Sequence, residues 1–348
     1  MPPLRSEITE IVTGLGMLGF PDVDRALAVR PDSVRNVGAE HYDRLDAART
    51  AGLHHREFEV AWRNGVDFAR STDGLRGRPP WSLEWKGAHR PPGYDQIPAD
   101  LRVDHVYLVS CKYGSDILTN SSPWNLFDRL LADSSGVTGD WYSEVAPAAY
   151  QAFYDTCRLH VDGAGLPVLV DQLDRQQRTL LKRSIPSHLT GELRAAYRRF
   201  AADVGIASAR RWKDRLTSLR SQELMMWRLL RLQAGPYFVL GESAAGQRLR
   251  FRVSTPWDFR NRYRFIGLET WADDTRHQPV VHWQATIHDN EHDRPAEVAG
   301  HVEVRWSHGR FAGMPEAKVY LDTPHALVPG YVPLDEPTEP EGSLAIAP

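Results

Sequence analysis

Residues 104–123 read DHVYLVSCKYGSDILTNSSP, an apolar run (Val106-Tyr107-Leu108-Val109) that breaks off in Ser110-Cys111-Lys112 and a polar loop. A strand buried on both faces would stay apolar to its end. This one delivers a lysine instead, with Asp104 before it and Glu84-Trp85-Lys86 upstream. The chain has only five lysines, at 86, 112, 182, 213 and 318, and supplies nearly all its positive charge as arginine. Lysine is the cation whose protonation an enclosure can tune, so its placement carries weight. Were 102–113 one unbroken strand, Asp104 and Lys112 would stand roughly 26 Å apart, eight residues at about 3.3 Å each. A shared site therefore requires a turn near His105, or a carboxylate from Glu84 on a neighbouring strand.

Upstream, residues 1–71 read as a helical segment, with helices expected over 7–18, 39–51 and 54–70. In the last of these Phe58, Trp62, Val66 and Ala69 recur at helical spacing beside Glu57 and Glu59. A Gly/Arg/Pro linker leads into 72–170, where Trp81–Lys86 and Leu101–Tyr113 read as strands, and Trp124–Ala132 and Ala146–His160 as helices. Prolines in 89–100 forbid regular structure there. Residues 171–235 form a basic helical segment, expected to break near Ile185-Pro186-Ser187 and Val204-Gly205. At Pro236 the hydrophobic period changes from about 3.6 to 2, and six alternating runs predict an all-β domain over 236–334. Arg248, Arg250 and Arg252 would lie on its exposed face, and Trp271, Trp283 and Trp306 in its core. Residues 335–348 read as a flexible acidic tail.

At 348 residues and 42% hydrophobic content the chain can bury two or three cores. No run approaches 18 apolar residues, so no membrane helix is expected. The first residues lack the basic-then-apolar order of a secretory signal, and two cysteines cannot build a disulfide framework or a zinc site. A cytoplasmic protein is the expectation. The net charge of −3 conceals fourteen Arg and Lys against six acids over 171–231. Among the 14 histidines, His288 and His292 have the spacing of a helical ligand pair, but the surrounding Asp and Asn predict a surface turn.

The constellation Glu59, Glu84, Asp104 and Ser110-Cys111-Lys112 resembles the PD-(D/E)XK, restriction-endonuclease-like nuclease superfamily over roughly residues 54–133. In that family a helix carrying a Glu precedes a β-hairpin. An Asp ends one strand, and the next strand carries an acid, a variable residue and a Lys. The resemblance implies an α/β (α+β) core with the helical segments and β domain appended, and a Mg²⁺- or Mn²⁺-dependent endodeoxyribonuclease of the restriction or host-defence type. It implies Asp104, Glu84 and Glu59 as metal ligands, and Asp104, Lys112, Glu84 and Ser110 as catalytic residues. Carboxylates hold the ion against the scissile phosphate, and the lysine positions or deprotonates the attacking water. Ser110 occupies the acidic slot, so Glu84 is the expected replacement, and Glu84-Trp85-Lys86 is itself an acid-x-Lys tripeptide that would serve as the catalytic strand.

DNA is the expected partner. Lys86, Ser115 and Asn120, then Arg198, Arg211 and Lys213 in the basic helices, are candidates for phosphate contact. Arg260, Asn261 and Arg262 are residue types that read base edges. Concerted double-strand cutting would imply a homodimer. The rival expectations are a non-catalytic nucleic-acid-binding or interaction protein on a decayed nuclease scaffold, marked by Ser110, and a nuclease or toxin acting on RNA.

Overall fold

The computed structural model describes residues 3–87, 98–128, 139–161, 165–273 and 278–335. The expected tail, the C-terminal part of the helix expected over 124–132, and most of the 89–100 loop lie outside them. In chain order come α1 (Leu4–Gly16), α2 (Val23–Val29), β1 (Val34–Arg35), α3 (Ala39–Thr50), α4 (His55–Arg70), β2 (Leu83–Trp85), β3 (Leu101–Val103) and β4 (Tyr107–Tyr113). Next are β5 (Ile117–Ser121), a π-turn at Trp124–Asp128, α5 (Trp141–Val145), α6 (Pro147–His160), α7 (Arg175–Ser184), α8 (Gly191–Arg215) and α9 (Leu219–Leu229). The chain closes with β6 (Tyr237–Glu242), β7 (Arg248–Val253), α10 (Pro256–Arg262), β8 (Tyr263–Ala272), β9 (Val280–Asp289), β10 (Arg294–Arg305), β11 (Glu316–Leu321) and β12 (Tyr331–Pro333). No described helix is long and apolar enough to cross a membrane.

These elements form two compact units whose boundaries differ from those expected. The first comprises Met1–Asp116, Leu232–Phe259 and His325–Pro348; the second Ile117–Arg231 and Arg260–Pro324. The expected all-β domain over 236–334 does not form. β6, β7 and β12 join the N-terminal strands in the sheet β1-β2-β3-β4-β6-β7-β12, whereas β8 to β11 pair with β5 in the sheet β5-β11-β10-β9-β8. Alternation identifies a strand but carries no information on its sheet. The deciding contact is the parallel pairing of β4 with β6, Val109 opposite Phe238 through Tyr113 opposite Glu242. Parallel neighbours need a long crossover, and here the connection is the entire Ile117–Arg231 segment.

In the first unit, one sheet face and helices α1, α3 and α4 share a core that includes Ile8, Leu15, Leu45, Phe58, Phe68, Trp85, Leu101, Val109 and Leu240. The buried face of α4 is Phe58, Ala61, Asn64, Gly65 and Phe68, rotated from the expected stripe, with Trp62 only partly buried. The rotation follows from a close helix approach. A Cβ on Gly65 would lie 2.0 Å from Thr13 O, and one on Gly16 2.5 Å from Trp62 O. Gly65→Ala is expected to destabilise the protein by about 2–3 kcal/mol, since backbone rather than a pliable side chain must yield. An unchanged urea midpoint would refute this packing.

Arg250 is not on an exposed face. It pairs with Asp67 of α4 at 2.7 Å, and its side chain is 9% exposed. In the second unit α8 runs without a break through Val204-Gly205. A Cβ at Gly205 would come within 3.1 Å of Val280 O, so this glycine serves the seating of α8 on β9. The core is aromatic: Phe153, Phe200 and Phe311 stack, with Tyr142, Tyr150 and Trp306 against them. Trp283 and Trp306 are core residues as expected, but Trp271 is 43% exposed.

Candidate active site

Asp104 and His105 have φ of 50° and 59°, and Val106 N donates to Val103 O at 3.0 Å. These are the marks of a type I′ turn, in which Asp tolerates the left-handed conformation. The turn at His105 exists, but Asp104 is part of it. Its carboxylate accepts from Trp81 N at 2.8 Å and Ser82 N at 3.2 Å and is closed by Arg78. Val103 pairs with Tyr107 and Leu101 with Val109, so Lys112 lies six residues along β4 from the turn, roughly 20 Å away. Asp104 therefore shares no site with Lys112.

The other two expected metal ligands are also occupied. Glu84 is gripped by Arg102 through both oxygens, at 2.9 and 2.6 Å, and by His105 at 2.9 Å. It does not supply the missing acid. Glu59 pairs with Arg49 of α3 at 3.1 Å, on the side of α4 away from its buried face.

What the hairpin does bring to Ser110 is Asp100. Extending the register by one residue sets Asp100 opposite Ser110. Asp100 N donates to Val109 O at 2.8 Å, and Asp100 O accepts from Lys86 N at 2.9 Å. The Asp100 carboxylate then accepts from Cys111 N at 2.7 Å and from Ser110 Oγ at 3.4 Å. Since Trp85, Leu101, Val109 and Cys111 pack toward the helices, alternation assigns Lys86, Asp100, Ser110 and Lys112 to the opposite sheet face. Alternation thus places two lysines, a carboxylate and a hydroxyl on one face of the β2-β3-β4 meander, where β2 ends, β3 begins and β4 runs on to Tyr113.

Close packing holds this arrangement from the next strand. Lys112 pairs with Gly241 of β6, and a Cβ there would fall 1.7 Å from Lys112 O. Behind the sheet, Thr13 Oγ1 and Tyr113 Oη are 2.6 Å apart, and Asn64 Nδ2 donates to Tyr113 Oη and Gly241 O. Glu10 of α1 accepts from Trp85 Nε1 at 2.7 Å. Burial pushes the Cys111 thiol well above its usual range, and the carboxylates of Asp100 and Glu10 push it further. Cys111 is therefore a protonated spacer and no nucleophile. Burial likewise raises Cys157 to about 12.

The expected nucleic-acid contacts are scattered. Ser115 belongs to the first unit and Asn120 to the second, where Asn120 donates to Glu316 at 2.9 Å. Arg211 and Arg215 clamp Asp128 at 2.7 and 2.8 Å. Arg260 stacks over Trp227 and pairs with Glu223; Arg262 pairs with Asp289 and Glu291; Asn261 is exposed on α10. Lys86 is 8% exposed. Arg198 and Lys213 remain at the surface of α8, with Arg194, Arg199 and Arg210.

Among the described residues, Asp289, Glu291 and His292 bring ligand atoms within 4.8 Å of one another. This is the surface turn expected at 288–292, and Arg262 pairs with both carboxylates. Burial alone would raise Asp289, but hydrogen bonds from His292, Glu291 N and Arg262 hold it at about 2. Its contribution to stability is present at neutral pH and falls away as pH drops from about 4, the unfolded value, through about 2. A carboxyl NMR titration should find that midpoint, and His292→Ala should raise it.

No family model, curated protein or solved structure matches this chain.

Proposed function

We propose that the chain is a metal-dependent phosphodiesterase acting on nucleic acid, with DNA the expected substrate and Asp100, Ser110 and Lys112 its working residues. One observation carries this reading: the Asp100 carboxylate closes onto Ser110-Cys111 one residue before Lys112, within an antiparallel meander. An aspartate at one strand end and a lysine on the next strand support the likeness to the restriction-endonuclease-like nucleases. Relative to the sequence-based assignment, Asp100 takes the part given to Asp104, and no described residue takes that given to Glu59.

Mg²⁺ or Mn²⁺ is the ion this chemistry uses, and the donors fit it. Asp100 and Ser110 offer oxygen ligands, and such ions are commonly held by one or two carboxylates together with substrate phosphates. When bound, the ion would neutralise the scissile phosphate and acidify a water. The backbone N–H of Cys111 orients Asp100. Lys112 holds a phosphate oxygen or takes the proton of the attacking water. The exposed cations of α8 are candidates for phosphate contact within the second unit.

The test is incubation of the full chain with plasmid, linear duplex, modified-base duplex and RNA, in Mg²⁺, Mn²⁺ or EDTA. Metal-dependent cleavage is expected. Ser110 in the acid slot favours a second reading, a nucleic-acid-binding protein on the same scaffold, for which binding without cleavage under every metal is the signature. For binding itself, Arg198→Glu and Lys213→Glu should each lower affinity uniformly across sequences and reduce the slope of log K against log salt by about 1. Arg211→Gln should not, because Arg211 is committed to Asp128. Concerted cutting of both strands would require a dimer, which sedimentation of the protein on its substrate would detect.

A further inference from the structure

The second unit contains a cavity of about 670 Å³ between α7, the 185–187 loop, α8 and the segment that follows β10. Its wall includes Lys182, Arg183, Arg305 and Arg310, and among the described residues none that line it is acidic. Of these four cations only Arg305 has a carboxylate partner among the described residues, Glu303, so the wall carries a net positive charge whose members repel one another. The sequence places one of its five lysines and three arginines on this wall, in segments more than a hundred residues apart, so local charge clustering does not account for it.

The hydrogen bonding of the wall is incomplete. Arg310 Nη1 donates to Pro186 O at 3.1 Å and Ser187 O at 3.2 Å, and its guanidinium lies 5.0 Å from the centre of the Tyr197 ring. Arg305 Nη1 meets Glu303 at 3.1 Å. Those contacts fix the two guanidinium planes, yet Nε of Arg305, Nε of Arg310 and the indole N–H of Trp306 are buried without a hydrogen-bond partner. Trp306 is itself only 8% exposed. Buried donors are normally satisfied, and several orphans around one cavity call for a bound species. Guanidiniums held by one edge and lacking an acceptor on another suit a planar or tetrahedral oxyanion.

We propose that this cavity binds a phosphate-bearing small molecule of nucleotide size, with Arg305, Arg310 and Lys182 on its phosphates and Tyr197 and Trp306 bordering its organic part. The volume lies within the range of about 300–1,000 Å³ typical of small-molecule sites and exceeds what one inorganic phosphate fills. Four cations match more than one negative charge, which favours a di- or triphosphate over a monoanion. Gly309, with φ of 100°, lets the Lys182 stem lie against the backbone, since a Cβ there would be 3.2 Å from Lys182 Cε. The site is built wholly within the second unit and does not depend on the strand-end cluster being catalytic.

Calorimetric titration of the full chain with ATP, ADP, AMP, pyrophosphate and citrate tests this. One saturable site is expected, tightest for the di- and triphosphates, with Arg305→Gln and Lys182→Gln each weakening it at least tenfold. Lys182 is exposed, so its variant reports on binding even if replacement of Arg310 disturbs the loop that it holds. Absence of saturable heat at millimolar ligand would overturn the proposal. So would equal affinity in the variants, citrate binding as tightly as pyrophosphate, or displacement of the nucleotides by short duplex DNA in proportion to its charge.

Discussion

Lys112→Ala and Asp100→Asn are each expected to lower metal-dependent cleavage by about 10²- to 10⁴-fold, the range over which positioned proton-transfer and charge-stabilising groups act. Glu59→Gln and Glu84→Gln should cleave at the parent rate, because those carboxylates are bound to Arg49 and to Arg102 and His105. Asp104→Ala should also cleave normally per folded molecule while losing about 1–3 kcal/mol of stability, since it strands the N–H groups of Trp81 and Ser82 and the charge of Arg78. The contrast between Asp100 and Asp104 decides the assignment. Loss of cleavage in Asp104→Ala with a normal unfolding midpoint, alongside an active Asp100→Asn, would reverse it.

The second large effect lies in the first helix. Glu7 is fully buried among Ile8, Ile11 and their neighbours, and Arg44 of α3 reaches it at 2.8 Å. Arg44→Ala leaves a carboxylate in the core without its cation, a loss of about 3–5 kcal/mol. Adding Glu7→Gln to that variant should recover a substantial part, because a neutral amide carries no buried charge. Urea denaturation of the two single variants and the double variant measures the coupling. Additive losses would show that the pair contributes nothing of its own.

The helices at 4–16, 39–50 and 55–70 and most strands of both sheets were readable from periodicity, whereas the short β1 and β12 were not, and β5 lies in what read as a polar loop. Their grouping was not. Nothing in the alternation of 237–253 says that these strands pair beside β4 rather than with β8 to β11, since the choice rests on contacts distant in sequence. The site was partly legible. Lys112 and Ser110 were found from the break in an apolar run, whereas Asp100 was passed over for the nearer Asp104. A signal existed: Asp and His are residues that accept the left-handed backbone of a two-residue hairpin turn. Folding the chain about a two-residue turn at 104 and 105 sets Asp100 against Val109, one residue short of Ser110, and the observed register, Val103 opposite Tyr107, supplies that last residue. Among the cations, side chains committed to internal carboxylates look the same in sequence as those left at the surface.

The passage of the chain from unit to unit also governs how the protein is made. When β4 leaves the ribosome, its neighbour β6 is still more than a hundred residues from synthesis, and β12 follows only near the end. The first unit therefore carries an unpaired strand edge throughout translation of the 117–231 segment, the kind of edge that recruits foreign strands. Neither unit is a contiguous stretch, so no single cut releases one intact. Expression of residues 1–116 alone would yield a sheet that stops at β4, and aggregation of that fragment is the natural outcome.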